Sequence, residues 1–126
     1  LPCVYDNGPL NGEDALPEAP ARTRPGAPCP DAPLADGFLL DRLGGDFVLL
    51  TVDADAPEHL DVGGIALRRG KLSVNDDTTG ALAERYLGGA PSAVLLIRPD
   101  QHVAARWAAF DESAVRRAVG HACGKE

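Results

Sequence analysis

Residues 95–107 read LLIRPDQHVAARW: an apolar run, a Pro-Asp pair, then an alternating run that ends in the only tryptophan of the chain. How this stretch is read decides the fold. Ser92 to Ile97 is apolar without alternation, the pattern of a strand buried on both faces. Pro99 presets φ for the second position of a type I turn, and Asp100 suits the third. Beyond the turn, Val103, Ala105 and Trp107 fall on one side and His102, Ala104 and Arg106 on the other. The pattern predicts a β-hairpin whose return strand has one core face and one face that is wet or covered by a partner. The crowding of Arg98, Asp100, His102 and Arg106 is then that of a turn and an exposed strand face, not a catalytic constellation.

A second apolar run, FVLLTV at 47–52, is also without alternation and ends in acidic residues and Pro57. It predicts the first central strand of an α/β sheet. Around these two strands the remaining elements fall into order. FLLDRL at 38–43 suits a helical turn or a short strand, ended by Gly44-Gly45. Residues 54–64 suggest a short helix capped by Asp55, with Pro57 in its first turn and Gly63-Gly64 as its stop. IALRRGKLSV at 65–74 suggests two short extended pieces around Gly70. In 77–89, Asp77 or Thr78 caps a helix with Leu82, Tyr86 and Leu87 on one face and Gly88-Gly89 at its end. At the C-terminus Asp111 caps a helix with Ala114, Val115, Ala118, Val119 and Ala122 inward. Eight of the eleven prolines lie in residues 1–33, which therefore suggest an extended Pro-rich N-terminal arm or linker, outside the core. Residues 34–126 form the expected domain.

A chain of 126 residues with 44% hydrophobic content suits one domain with one core. Its net charge of -7, with no basic run longer than two residues, offers no footprint for nucleic acid or anionic membrane. No apolar run reaches the roughly 20 residues that span a bilayer. Cys3, Cys29 and Cys123 are too few and too scattered for a disulfide framework, and an odd number leaves one unpaired. A reducing, cytoplasmic setting fits them. The chain starts at Leu and has no Met, as expected of a fragment or a processed product.

Three segments, PGAPCPDAPL (25–34), LLDRLGGDFVLL (39–50) and LLIRPDQHVAAR (95–106), resemble the C-terminal, thioredoxin-like domain of FAD-dependent aromatic hydroxylases, the phenol hydroxylase and hydroxyphenylpropionate hydroxylase group. Pro25, Gly26 and Pro30 match the first family motif. Asp41, Leu43, Gly44, Phe47, Leu49 and Leu50 match the second. Arg98, Pro99, Asp100, Val103, Ala104 and Arg106 match the third, which is the specific one. The opening VYDNGPL is similar to the segment that leaves the flavin domain in such enzymes. Pro28 and Asp31 depart from the family's Arg and His, Gln101 stands for the turn Gly, and Ala105 stands for a Trp. Trp107, two residues on, restores the aromatic on the same strand face.

The resemblance implies a thioredoxin-like α/β fold, a central mixed sheet with flanking helices, in a domain that does no chemistry itself. FAD and NAD(P)H then belong to the full-length enzyme, none of them to this fragment. The implied partners are the chain's own N-terminal FAD and substrate domains, or a second subunit in a homodimer. His102 and Arg106, with the turn residues Arg98, Pro99 and Asp100, are the candidate contacts.

Rival chemistries rest on fewer residues. A redox thioredoxin needs a Cys-x-x-Cys after its first central strand, where this chain has Asp53-Ala54-Asp55-Ala56. The alternative of a free-standing small enzyme takes two forms. Asp53 and Asp55 after a strand, with Lys71 and Asp76-Asp77, suggest a Mg²⁺-dependent phosphatase, against strand-end and cap duty for the same acids. Cys29 in its Pro-rich loop suggests a thiol enzyme, against a plain loop thiol. His59, His102 and His121 show no metal-ligand spacing. Pro91, before the second buried strand, stands where thioredoxin folds often carry a cis-proline, with trans the default.

Overall fold

The computed structural model describes residues 12–124. In chain order its strands are β1 (Asp14–Ala15), β2 (Pro33–Leu34), β3 (Gly37–Phe38), β4 (Phe47–Val52), β5 (His59–Val62), β6 (Ile65–Leu72), β7 (Ala93–Ile97) and β8 (Val103–Trp107), followed by helix α1 (Glu112–Ala122). The two unalternating apolar runs are the buried centre, as expected: every residue of β4 and β7 is buried. Six strands form one mixed sheet in the order β1-β8-β7-β4-β6-β5. β4 runs parallel to β6 and antiparallel to β7, and β7 is antiparallel to β8. This is the thioredoxin-like arrangement.

Because β4 and β7 alternate their side chains between two covered faces, the core has two halves. Val48, Leu50, Val52, Leu95 and Ile97 meet Leu39, Leu82 and Tyr86 on one face. Phe47, Leu49, Val94 and Leu96 meet Ala114, Val115, Ala118 and Val119 of α1 on the other. The helix starts where expected, with the Asp111 carboxylate accepting the Ala114 N–H at 3.2 Å. Ala122 is only half-buried, at the rim.

Residues 54–64 form no helix. After an extended loop, His59–Val62 is the edge strand β5, with His59 and Asp61 exposed and Leu60 and Val62 half-buried. That alternation has the strand period. Gly63 and Gly64, at φ +58 and +88, join Val62 to its register partner Ile65. Two consecutive positive φ values make a two-residue hairpin turn, not a helix stop. Ile65–Leu72 is likewise one strand: β5 pairs with its first half, and continuous pairing with β4 carries it through Gly70.

The segment after Asp77 is capped as expected: its carboxylate accepts the N–H groups of Gly80, Leu82 and Ala83. Ala83–Leu87 then forms a wider π turn instead of an α-helix, with Tyr86 and Leu87 buried. Residues 38–43 combine both expected forms, the end of β3 and a 3₁₀ turn at Leu39–Arg42. No cis peptide bond occurs among the described residues, so Pro91 is trans.

The N-terminal stretch needs a correction. From Gly12 on it is Pro-rich but mixes short extended pieces with turns and a 3₁₀ helix at Ala21–Thr23, and it is not outside the core: Leu16, Ala19, Cys29 and Ala32 all belong to the first core half. It is held because it pairs with the outer edge of β8. Residues 1–11, including the VYDNGPL segment, lie outside the described residues. Cys29 is a free thiol, whereas Cys123, at the end of α1, is disulfide-bonded, contrary to the expectation of scattered reduced thiols.

Candidate functional site

The hairpin tip forms as its sequence predicts. The Gln101 N–H donates to Arg98 O and the Arg98 N–H donates to His102 O, both at 2.9 Å. Gln101 takes φ +64, so a β-turn is followed by one left-handed residue, a standard three-residue hairpin loop. An L-residue pays roughly 1–2 kcal/mol for that conformation, a cost that glycine would avoid. The Gln101 amide offsets part of the cost by donating to Leu40 O at 3.1 Å.

Arg98 is buried and points its guanidinium fork at Asp100, through Nε to Oδ1 at 3.0 Å and Nη2 to Oδ2. Burial would raise the Asp100 pKa, but the hydrogen bonds and charge of Arg98 outweigh it and hold the carboxyl below its ordinary value. His102 Nδ1 lies 3.1 Å from Asp100 O. Thus Arg98, Pro99, Asp100 and His102 do meet, with the acid and base spent on each other, and of the four Asp100 is the most exposed.

Arg106 does not join them, and its face is not wet. A β-bulge lies between the pairs Leu96↔Ala105 and Ile97↔Val103, leaving Ala104 as the extra residue. Strict alternation is therefore lost: Val103 packs in one core half, Ala105 and Trp107 in the other. Trp107 does share the face of Ala105. Arg106 is 3% exposed because the chain's own N-terminal stretch covers it. Its Nε and Nη2 donate to Asp14 Oδ1 and Oδ2 at 2.7 and 3.0 Å, and its Nη1 donates to Pro20 O at 2.8 Å and Thr23 Oγ1 at 3.1 Å. The Thr23 hydroxyl in turn donates to Arg85 O at 2.9 Å, and the Trp107 indole N–H donates to the Glu13 carboxylate.

Proline content hides the signal that marks this covering segment. Thr23, Pro25, Ala27 and Cys29 are buried while Arg24, Gly26 and Pro28 are exposed, a period of two. The backbone confirms it: the Gly26 N–H donates to Val103 O at 2.7 Å, the Val103 N–H to Ala27 O at 2.9 Å, and the Cys29 N–H to Gln101 O at 2.8 Å.

Asp53, Asp55, Lys71 and Asp76 also come together. With Ala54, Leu72 and Ser73 they line an open cleft of about 510 Å³ at the carboxyl ends of the parallel strands β4 and β6, the edge where α/β sheets usually bind ligands. Two of these acids are engaged by the backbone. The Asp76 carboxylate accepts the Ser73 N–H at 2.9 Å, and Asp53, at φ +52, has Oδ2 3.4 Å from the Val74 nitrogen. Among the described residues no three or more His, Cys, Asp or Glu are grouped to hold a metal ion. Strand-end and cap duty describes Asp53, Asp76 and Asp77, whereas Asp55 caps nothing because no helix follows it.

Cys29 is buried in the first core half. Burial pushes its thiol up to about 12 despite the contact with Tyr86, whose hydroxyl donates to Pro30 O at 2.6 Å. The thiol is protonated and covered at neutral pH.

Comparison with known proteins follows the same lines. A family model described as "Aromatic-ring hydroxylase, C-terminal" matches residues 22–125. A solved flavin-dependent monooxygenase, PieE, in complex with FAD and substrate, is 25% identical, with a TM-score of 0.60 over 98% of this chain and 24% of its own. Aklavinone-11 hydroxylase, solved with FAD and aklavinone, is 21% identical and shares the fold at a TM-score of 0.62, over 95% of this chain and 26% of its own. The chain thus spans about a quarter of the length of these solved chains. A search of curated proteins gave no match.

Proposed function

Since the chain belongs to the aromatic-ring hydroxylase C-terminal family, we propose that it is the non-catalytic C-terminal domain of a flavin-dependent aromatic-ring monooxygenase. The observation that carries this reading is that the polar residues of the family motif serve the fold: Arg98 is spent on Asp100, and Arg106 on Asp14, Pro20 and Thr23. FAD, NAD(P)H and the aromatic substrate then bind to domains that precede this one, and a hydride, oxygen and ring chemistry is completed there. The chain enters from those domains through residues 1–33, of which the described part, from Gly12 on, is already built into the body that 34–126 complete.

The domain packs on its own preceding domains through the hairpin tip, where Asp100 and His102 reach the surface. Arg106, being buried, contacts the lead-in instead. The outer edge of β5, a sheet edge, is the surface this reading offers to a second subunit. No helix among the described residues is long and apolar enough to cross a membrane. We assign the enzyme to the cytoplasm, where reduced nicotinamide is supplied; the disulfide at Cys123 is the feature to check by thiol trapping in cells.

The experiment is a flavin titration of this chain alone and of the protein translated with whatever coding sequence precedes Leu1. The chain alone stays colourless, while the longer protein carries a flavin spectrum and oxidises NAD(P)H with a phenolic substrate. Flavin binding by the chain alone, or a longer protein without flavin, overturns the reading.

A further inference from the structure

The covering segment has more contacts than packing a linker requires. Between Gly12 and Cys29 it meets the outer edge of β8 twice in different directions. β1 pairs in parallel, with Asp14 opposite Arg106 and Ala15 opposite Trp107, and Pro28 bridges His102 in the antiparallel sense. Two close backbone approaches flank that pairing, one against β8 and one against the turn that ends Ala83–Leu87. A Cβ on Gly12 would lie 2.2 Å from Ala104 O, and one on Gly88 would lie 2.5 Å from Glu18 O. Arg106 stands between these contacts, and one guanidinium reads three points of the segment: Asp14, Pro20 and Thr23. The matched family region begins only at residue 22, so Asp14, Leu16 and Ala19 lie before it yet are built into the fold.

We propose that residues 12–29 are a latched strap, with Arg106 as the latch, that fixes the register in which the preceding flavin-binding domains join this one. The inference rests on the proposed function for the identity of those domains. A buried guanidinium that loses Asp14 is an uncompensated charge, so the strap cannot slide along β8 by a residue without leaving Arg106 unpaired. A linker of Pro and Gly alone would leave the two bodies free to reorient. The strap instead makes the entering chain part of the sheet.

Hydrogen exchange of the intact protein tests this, with Arg106→Gln and, should that variant fold poorly, Asp14→Asn and Glu13→Gln at the exposed rim. Opening of the latch predicts exchange on the order of tenfold or more faster in residues 12–29, new protease cleavage there, and unchanged protection of β4 and β7. A broadened small-angle scattering profile accompanies it. Unchanged protection of 12–29 in all three variants overturns the latch; equal loss of protection in 12–29, β4 and β7 also overturns it, since the segment is then core with no separate opening. Flavin content is read in the same samples. Absence of flavin in the parent protein refutes the proposed function, whereas the exchange pattern judges the strap independently.

Discussion

Asp14 and Arg106, 92 positions apart in the chain, form a two-pronged ion pair in which the acid is partly exposed and the guanidinium is almost wholly buried. The burial is unequal, so the two partners are not equivalent. Removing Asp14 leaves a charge inside the protein; removing Arg106 leaves an acid that reaches water, but also takes one donor from Pro20 O and from Thr23 Oγ1.

Both truncations are therefore costly. Arg106→Ala lowers the free energy of unfolding by about 3 kcal/mol and Asp14→Ala by about 2 kcal/mol. Urea unfolding measures both, and the double variant costs less than the sum because the sites share one interaction. Exact additivity would mean that the pair contributes no coupling.

Acid weakens the fold through three carboxylates. Asp14 is held below its ordinary value of 3.8 by the Arg106 hydrogen bond, against the opposing effect of its burial. Asp77 and Asp100 feel desolvation first, which raises them. The N–H groups of Ala83, Leu82, Gly80 and Thr79 outweigh it at Asp77, and Arg98 outweighs it at Asp100. Folded values below the unfolded one mean stability that is full above about pH 4 and is lost as pH falls below that range. Thermal unfolding midpoints fall between about pH 4 and pH 2, less steeply in Asp14→Asn than in the parent.

The Cys29 thiol, at about 12 against an ordinary 9.0, carries about a thousandfold less thiolate than an exposed cysteine at neutral pH. Iodoacetamide labels it in denaturant and spares it in the native protein. Native labelling within tenfold of the denatured rate would contradict the buried placement.

Two glycines at positive φ differ in what surrounds them. Gly88 (φ +59) faces Glu18 O at 2.5 Å, whereas Gly45 (φ +81) has open space where its Cβ would stand. Gly45→Ala costs about 1 kcal/mol from conformation alone. Gly88→Ala costs more than about 2 kcal/mol, since the backbone of the strap has to move. Denaturation midpoints compare them.

The buried strands and capped helix were legible because their signals are local. FVLLTV and SAVLLI are unalternating apolar runs that only a doubly covered strand accommodates, and Asp111 stands one residue before its helix. The hairpin turn was legible from Pro99 and Asp100. What failed depends on distant chain. Asp55-Ala-Pro suits a helix start, but pairing of His59–Val62 with β6 overrides that local preference. The return strand's polar face looked wet because a bulge at Ala104 and a cover from residues 12–29 leave no mark in residues 102–107 themselves. Asp14, the partner that decides the state of Arg106, sits in a stretch whose prolines suggest a linker.

The central claim, a domain that does no chemistry, is tested most directly by steady-state hydroxylation by the intact enzyme carrying Asp53→Asn, Asp55→Asn or Cys29→Ser. With flavin content equal to the parent, kcat stays within about twofold in each variant, because none of these groups touches a reacting atom. A loss of about a hundredfold or more in any one, the scale of a removed acid-base group, would contradict the account.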